Sequence, residues 1–257
     1  MEPKLFLKAI SQYFGYQFRK TRKASSLGAS FLHLDATYDQ KFILKNKDVN
    51  VIFDIGAHVG EVAKNYHQNF PNATIFAFEP FPDSYSELER NSKPIKEIKP
   101  LQIAVADSVG EKTFYSSAHS PMNSLLKFSP DIGEHYAEYV VSKENSLTVS
   151  STTLDLFCED NNIQRINICK MDIQGAELLA LQGGKELLKN SLIDVIYLEV
   201  SFNKIYESQA WFHDVSNFLV QFDYKLFDIY NFYHGENNFY LTQGDAIFVS
   251  PEIAKLL

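Results

Sequence analysis

The stretch "FDIGAHVGEVAKNY" at residues 53–66 decides the fold. An apolar, strand-like run ends in an aspartate, passes two glycines and enters a helical pattern. A strand, a tight turn and a helix in this order are typical of α/β proteins that hold nucleotides at the end of the first strand. The glycines do not have the G-x-G-x-x-G spacing of dinucleotide-binding proteins, so the turn alone does not identify the ligand.

Strand-like and helix-like segments alternate from residue 51 onward. This alternation predicts an α/β sheet, mostly parallel, with helices on both faces and ligands beyond the carboxyl ends of the strands. The segment "KTFYSS" is predicted to extend the same sheet. Further strands are predicted at "ATIFAFEP", "IKPLQIAVAD", "INICKMDI" and "IDVIYLEV", and a closing pair at "YKLFDIY" and "DAIFVS".

The N-terminal 50 residues fall outside this alternation, so we predict a helical extension over 1–50 and a main domain over 51–257. Residues 1–23 are basic, and their apolar residues recur at helical spacing, which predicts an amphipathic helix. Either this helix docks on the domain with solvated charges, or it contacts a membrane surface or an acidic partner. Residues 24–50 have no clear pattern.

Composition narrows the class of protein. The 257 residues are 45% apolar and 22% charged, as in ordinary globular proteins. The net charge of −8 argues against a general nucleic-acid binder. No apolar run approaches the length of a membrane span, and no signal peptide is evident, so we expect a cytoplasmic protein. The two cysteines, Cys158 and Cys169, lack metal-ligand spacing and are expected to be reduced thiols.

Residues at the ends of the first two strands form the candidate ligand site. Gly56 permits a close approach to the main chain, and Gly60 lets the helix start pack against the strand. Glu79 ends the second strand, where a carboxylate can accept both hydroxyls of a ribose. Pro80 stiffens the following segment, and Phe81 is a candidate to lie against a base. The alternatives are an ordinary tight turn and a solvated carboxylate.

The chemistry of the loop distinguishes between nucleotides. A histidine at position 58 would crowd a pyrophosphate, and Asp54 would repel one. Asp54 suits instead a cation or an amino group. S-adenosylmethionine carries a sulfonium, an ammonium and a ribose diol but no phosphate, so it is the predicted cofactor.

The motifs together resemble the FkbM family of S-adenosylmethionine-dependent methyltransferases. The resemblance implies a class I, Rossmann-like fold with a seven-stranded sheet whose last strand is antiparallel. It also implies methyl transfer to hydroxyls of sugars, polyketides and related metabolites, with Ala57 and His58 in the cofactor loop. The family usually has asparagine at the position of His58. The expected role of His58 is to support the loop or the methionine part of the cofactor, or to pack behind them. The motifs are "FDIGAHVG", "FAFEPFPDSYSELERN", "AVADSVG", "TTLDLF", "KMDIQGAELLALQGG" and "IDVIYLEV".

A second group of carboxylates follows two later strands. Asp172 ends one strand, and Glu199 ends the next. Both are candidate catalytic residues, because a hydroxyl that attacks a methyl group must lose its proton to a base. Glu177, which begins a helix, is a candidate substrate contact. The alternatives are an N-cap for Asp172, a helix-dipole role for Glu177, and substrate binding or loop capping by Glu199. A magnesium site is disfavoured, since no Asp-Asp or D-x-D cluster occurs, and no metal is predicted.

Two long connections are candidates to choose the methyl acceptor. The first contains "MNSLL", which resembles a serine–leucine element of the family. This resemblance makes His119 and Ser124 candidate substrate contacts. The second is rich in aromatic residues, and Tyr233 is a candidate wall for a sugar ring. The alternative for this connection is a purely structural role, as a hairpin packed on the domain.

The leading interpretation is an O-methyltransferase that acts on a sugar, a glycan or a small metabolite. An N-methyltransferase acting on protein or nucleic acid is the first alternative, but no D/N-P-P-Y/F motif is present to grip a planar amine. A non-catalytic nucleoside-binding module is the second, and it conflicts with the retention of Asp54, Glu79 and Asp172. Nothing in the sequence predicts the oligomeric state.

Overall fold

A computed structural model describes residues 33, 35–117, 120–130, 145–235 and 239–257. The predicted amphipathic helix within residues 1–23 and His119 lie outside this part of the chain. The strands are β1 (Val51–Ile55), β2 (Thr74–Phe78), β3 (Ile98–Leu101), β4 (Ala104–Val105), β5 (Gly110–Ser116), β6 (Asn145–Thr152), β7 (Ile166–Met171), β8 (Ile193–Ser201), β9 (Lys225–His234) and β10 (Leu241–Val249). The helices are α1 (Ala36–Ile43), α2 (Glu61–Asn69), α3 (Pro82–Ser92), α4 (Leu154–Asp160), α5 (Glu177–Gln182), α6 (Lys185–Lys189), α7 (Phe212–Val220) and α8 (Pro251–Ala254).

The main sheet has seven strands in the order β3-β2-β1-β7-β8-β10-β9. All neighbours pair in parallel except β10, which is antiparallel to both β8 and β9. The prediction of a mostly parallel sheet with an antiparallel last strand is therefore confirmed. The strand order reverses between β1 and β7, and ligands of open α/β sheets bind in the crevice at such a reversal.

Helices cover both faces of the sheet, as predicted. Side chains alternate along each strand, so Phe53 and Ile55 face one apolar cluster while Ile52 faces the other. The first cluster packs against α4, α5, α6 and α7. The second packs against α1, α2, α3 and α8. Asp54 shares the face of Ile52, which places a carboxylate under the second helical layer.

Helix α1 lies in the region whose sequence has no clear pattern. Asp35 caps it by accepting a hydrogen bond from the backbone N–H of Tyr38 at 2.7 Å. Its buried face meets β9, where the Tyr230 hydroxyl donates to Asp39 at 2.6 Å, and α2, where the Tyr66 hydroxyl donates to Gln40 at 3.1 Å. Helix α1 thus shares the core of the sheet, and the division at residue 50 stays a prediction.

The prediction that "KTFYSS" extends the main sheet is wrong. Strand β5 belongs to a separate three-stranded sheet in the order β4-β6-β5. Its antiparallel partner β6 lies beyond the long connection that contains "MNSLL", so the pairing was not visible from local pattern. An isolated bridge joins Tyr115 of β5 to Ser124. Within the described residues, no helix has both the length and the apolar character needed to cross a membrane.

Candidate active site

A pocket opens at the carboxyl ends of the central strands. The loops after β1, β2, β3 and β7 form its floor and walls. Residues 120–126, here called the strap, follow β5 and contribute side chains from the other side. The lining residues used below are Gly56, Ala57, His58, Glu79, Pro80, Ile103, Ala104, Val105, Phe114, Ser120, Asn123, Leu125, Lys170, Asp172 and Gln174.

The loop between β1 and α2 requires glycine at two positions. Gly56 has φ +78°, and a Cβ atom there would lie 1.9 Å from the carbonyl oxygen of Asp172. Gly60 has φ +88°, and a Cβ there would lie 2.7 Å from a methyl carbon of Leu88. The N–H groups of Gly56 and Ala57 both donate to the carbonyl of Phe78 at 3.0 Å. The loop is therefore fixed against the ends of β2 and β7.

His58 connects the glycine loop to two other parts of the pocket. Its backbone has φ +48°, a left-handed conformation that histidine and asparagine adopt more readily than most residues. Its N–H donates to Glu79 Oε2 at 2.9 Å, and its ring Nε2 lies 2.9 Å from the hydroxyl of Ser120. His58 thus ties the loop to the end of β2 and to the strap.

Glu79 is buried at the pocket surface. Its Oε1 accepts the N–H of Phe81 at 2.8 Å, while Oε2 accepts the N–H of His58. Burial raises the pKa of Glu79 to about 7, although both backbone donors oppose the shift. Pro80 also lines the pocket. Phe81 lies outside the lining, where its ring stacks on Phe114 at a centroid distance of 6.4 Å.

Asp54 lies beneath the pocket and forms an ion pair with Lys170. The two residues are register partners on β1 and β7, and Lys170 Nζ is 3.0 Å from Asp54 Oδ1. Lys170 also donates to the carbonyl of Gly56 at 3.0 Å. Burial alone would lower the pKa of Lys170, but the carboxylates of Asp54 and Asp172 raise it above its ordinary value. Asp54 is fully buried and outside the lining, so it meets the pocket through Lys170.

The sequence contained a signal for Lys170 that its pattern analysis missed. A lysine within the apolar run "INICKM" of a central strand needs a buried partner. The register of β1 and β7 then puts Asp54 opposite it.

The second carboxylate group meets around Gln174. Asp172 is exposed on the pocket surface, and its Oδ1 accepts from Gln174 Nε2 at 2.8 Å. The same nitrogen lies 3.2 Å from Glu199 Oε2. Burial and the carboxylates of Asp172, Glu177 and Asp245 hold the pKa of Glu199 well above its usual range. Asp172 and Glu199 are thus brought together as predicted, through a glutamine that the sequence analysis did not single out.

Glu177 and Ser124 have loop contacts rather than places in the lining. Glu177 Oε1 accepts the N–H of Ile173 at 2.9 Å and that of Gly175 at 3.3 Å. Burial raises its pKa to about 7. The Ser124 hydroxyl donates to the carbonyl of Gln174 at 2.7 Å. Both side chains stabilise the β7–α5 loop. Acceptor contacts by either residue stay a prediction.

Tyr233 lies near the carboxyl end of β9. It pairs with Gln243 of β10, which in turn pairs with Ser201 at the end of β8. Tyr233 therefore shares the sheet edge of Glu199 but lies outside the pocket lining. Nearby Phe232, Phe239 and Tyr240 are exposed.

Metal-ligating side chains do not cluster within the described ranges, where no three histidine, cysteine or acidic residues are placed to hold an ion. Cys158 and Cys169 are both free and buried, in agreement with the expectation of reduced thiols.

The geometry agrees with a family relationship found by comparison. A profile described as "Methyltransferase FkbM domain" matches residues 54–226. The chain belongs to the FkbM methyltransferase family. The match begins at Asp54 and includes every described residue of the pocket, so the predicted resemblance is confirmed. As a member of the FkbM family, the chain is an S-adenosylmethionine-dependent methyltransferase.

Two curated relatives of this chain are methyltransferases. The chain is 30% identical to the 2-O-methyltransferase NoeI of Sinorhizobium fredii, over 70% of this chain and 75% of that protein. It is 26% identical to the hexuronic acid methyltransferase AglP of Haloferax volcanii, over 59% of this chain and 56% of that protein. A solved structure of magnesium protoporphyrin IX methyltransferase from Synechocystis PCC 6803 aligns at 10% identity and a TM-score of 0.44, over 97% and 98% of the two chains.

Proposed function

We propose that this FkbM-family enzyme transfers a methyl group from S-adenosylmethionine to a hydroxyl of a sugar, a glycan or a small metabolite. The observation that carries the proposal is the presence of Glu79 and Asp172 in one pocket, on either side of the Gly56 loop. The first carboxylate suits a ribose, and the second suits a proton transfer.

The polar atoms of the pocket fit the proposed cofactor. Glu79 has two carboxylate oxygens, each of which can accept a further hydrogen bond from a ribose hydroxyl. The amide nitrogen of Asn123 is buried and has no hydrogen-bond partner among the described residues, although Asn123 Oδ1 accepts the N–H of Ser117 at 2.9 Å. A buried donor without a partner costs about 1–3 kcal/mol, so an acceptor atom on a bound ligand would stabilise it.

The apolar part of the lining fits a purine base. Ile103, Ala104, Val105, Phe114 and Leu125 come from the β3–β4 segment, β5 and the strap. Flat apolar walls of this kind bind aromatic rings by excluding water from both faces. Phe81, which lies behind Phe114, would support this wall rather than touch the base.

Asp172 is the proposed base. S-adenosylmethionine, when bound, supplies an electrophilic methyl group on its sulfonium. Asp172 is an exposed carboxylate of the lining and lies just after β7, so it can take the proton of an approaching hydroxyl. The hydrogen bond from Lys170 to the Gly56 carbonyl holds the glycine loop beside Asp172. This contact fixes the distance between the Glu79 side and the Asp172 side of the pocket.

The charge around Asp172 favours a neutral acceptor. Glu199 and Asp245 lie on neighbouring strands as register partners, and Lys170 is committed to Asp54. An anionic acceptor would meet the like charge of the Asp172 carboxylate at this edge. Neutral sugar hydroxyls are therefore the proposed substrates, with the aromatic residues near Tyr233 as their apolar wall. A cytoplasmic location also stays a proposal, on the composition alone.

Two linked measurements test the proposal. Calorimetric titration should give one-site binding of S-adenosylmethionine and no binding of NAD⁺, whose pyrophosphate the loop does not suit. Incubation with methyl-labelled cofactor and neutral sugars, uronic acids and amines should then label an oxygen of a neutral sugar. Binding of NAD⁺ in place of S-adenosylmethionine would overturn the cofactor, and label on nitrogen would establish the N-methyltransferase alternative.

A further inference from the structure

Gln174 is the point where four parts of the site meet. Its Nε2 donates to Asp172 Oδ1 at 2.8 Å and to Glu199 Oε2 at 3.2 Å. Its Oε1 lies 2.8 Å from the hydroxyl of Tyr206, and its backbone carbonyl accepts from Ser124 of the strap. The residue itself lines the pocket.

The chemistry of these neighbours fixes the orientation of the amide. Oxygens of an ionised carboxylate only accept hydrogen bonds, so the NH₂ group faces Asp172, and it also lies 3.2 Å from Glu199. The remaining amide oxygen then faces Tyr206, whose hydroxyl donates. That hydroxyl also lies 3.0 Å from the carbonyl of Met122, and the Tyr206 ring is fully buried against Phe128. A flipped amide would oppose its oxygen to the acceptor oxygen of Asp172, whereas the Tyr206 hydroxyl can accept from an amide NH₂ while it donates to Met122.

The backbone of Gln174 is held as firmly as its side chain. It has φ +57°, a left-handed conformation unusual for glutamine, and Gly175 follows with φ +90°. The two residues make the tight turn between β7 and α5, and Glu177 accepts the N–H of Gly175 from below. The turn therefore aims one glutamine side chain across the gap between the ends of β7 and β8.

We propose that Gln174 is a positioning residue for methyl transfer: it holds Asp172 Oδ1 so that the other carboxylate oxygen faces the acceptor hydroxyl. The inference rests on the proposed function, in which Asp172 takes the proton. Glu199 anchors the far side of the same amide, and its raised pKa makes it more prone than an isolated carboxylic acid to keep its proton. Of the pair, Asp172 is the one that lines the pocket.

A double-mutant cycle tests this inference with the whole 257-residue chain. Gln174→Met keeps the length of the side chain and removes all its hydrogen bonds. Loss of a hydrogen bond to a charged group corresponds to about a ten- to hundredfold fall in kcat, with the cofactor Kd unchanged. In an Asp172→Asn background the same substitution should change the single-turnover rate by less than about twofold, because the residue acts through Asp172. Gln102→Met, at an exposed glutamine outside the pocket, is the matched control.

Tyr206→Phe is the second variant, since it removes the hydroxyl that contacts the Gln174 amide oxygen and the Met122 carbonyl. It should lower kcat by a smaller factor, again only while Asp172 is present. Equal losses in both backgrounds, or wild-type kcat in a folded Gln174→Met variant, would overturn the positioning role. If Gln174→Met does not fold, the same criteria apply to Tyr206→Phe. Failure of the wild-type enzyme to bind S-adenosylmethionine would instead sink the proposed function, so the two failures are distinguishable.

Discussion

Glu79→Gln tests the ribose site through its dependence on pH. In the unliganded enzyme the pKa of Glu79 is raised to about 7 by burial. Only the ionised carboxylate can accept both ribose hydroxyls as charge-assisted hydrogen bonds. Cofactor affinity should therefore rise with pH and level off above this pKa.

The size of the change in cofactor affinity follows from the ionised fraction of Glu79. This fraction is about 0.09 one pH unit below the pKa and about 0.9 one pH unit above it. Because apparent affinity scales with the competent fraction, Kd should fall about tenfold between pH 6 and pH 8. Glu79→Gln should bind about ten- to a hundredfold more weakly at pH 8 and lack this slope.

Calorimetric titration across this pH range is the assay. The α-amino group of the cofactor also titrates nearby, but it does so equally with both proteins, so the ratio of the two affinities isolates Glu79. A ratio that stays constant from pH 6 to pH 8 would refute the assignment of the ribose to Glu79.

Linkage gives an opposite sign for the stability of the unliganded enzyme. The pKa of Glu79 is higher in the folded state than its ordinary value of 4.5, so the folded state binds the proton more tightly. The contribution to stability is then full below the ordinary pKa and is lost as pH rises through about 7, by up to ~3 kcal/mol. The free energy of unfolding of wild type relative to Glu79→Gln should fall over this range.

Three further substitutions probe the loop and the ion pair. Gly56→Ala should destabilise the fold by about 1–3 kcal/mol or more in thermal unfolding, while Gly110→Ala, where a Cβ has open space, should cost only backbone strain. His58→Asn should bind cofactor and turn over normally, since asparagine tolerates the left-handed backbone; normal binding without turnover would reveal a catalytic histidine. Lys170→Met should lower the free energy of unfolding in denaturant by about 3–5 kcal/mol, because it leaves Asp54 buried and unpaired. Adding Asp54→Asn should recover part of the loss. Unchanged stability of Lys170→Met would contradict the ion pair.

The features that sequence predicted well are local. Alternating strand and helix patterns gave the main sheet. Glu79 was found because a strand end, a carboxylate and a proline lie together in the chain. Each of these signals depends on residues only a few positions apart.

The features that sequence missed depend on distant partners. Asp54 was interpreted as a direct ligand because nothing local showed that Lys170 would occupy it. Strand β5 was misplaced because its partner β6 lies beyond a long connection. Gln174 acquires its role only when the ends of β7 and β8, the strap and Tyr206 meet in space. Such contacts follow from the register of the fold rather than from spacing along the chain.

Asp172→Asn is the most direct test of the account as a whole. Asparagine keeps the size of the side chain and can still accept from Gln174, but it cannot take a proton. With saturating cofactor and an accepted sugar substrate, the single-turnover rate should fall by about 10²–10⁴ while the cofactor Kd changes little, and EDTA should leave the wild-type rate unchanged. An Asp172→Asn rate equal to that of wild type, or a wild-type rate abolished by EDTA and restored by magnesium, would contradict a metal-free carboxylate base.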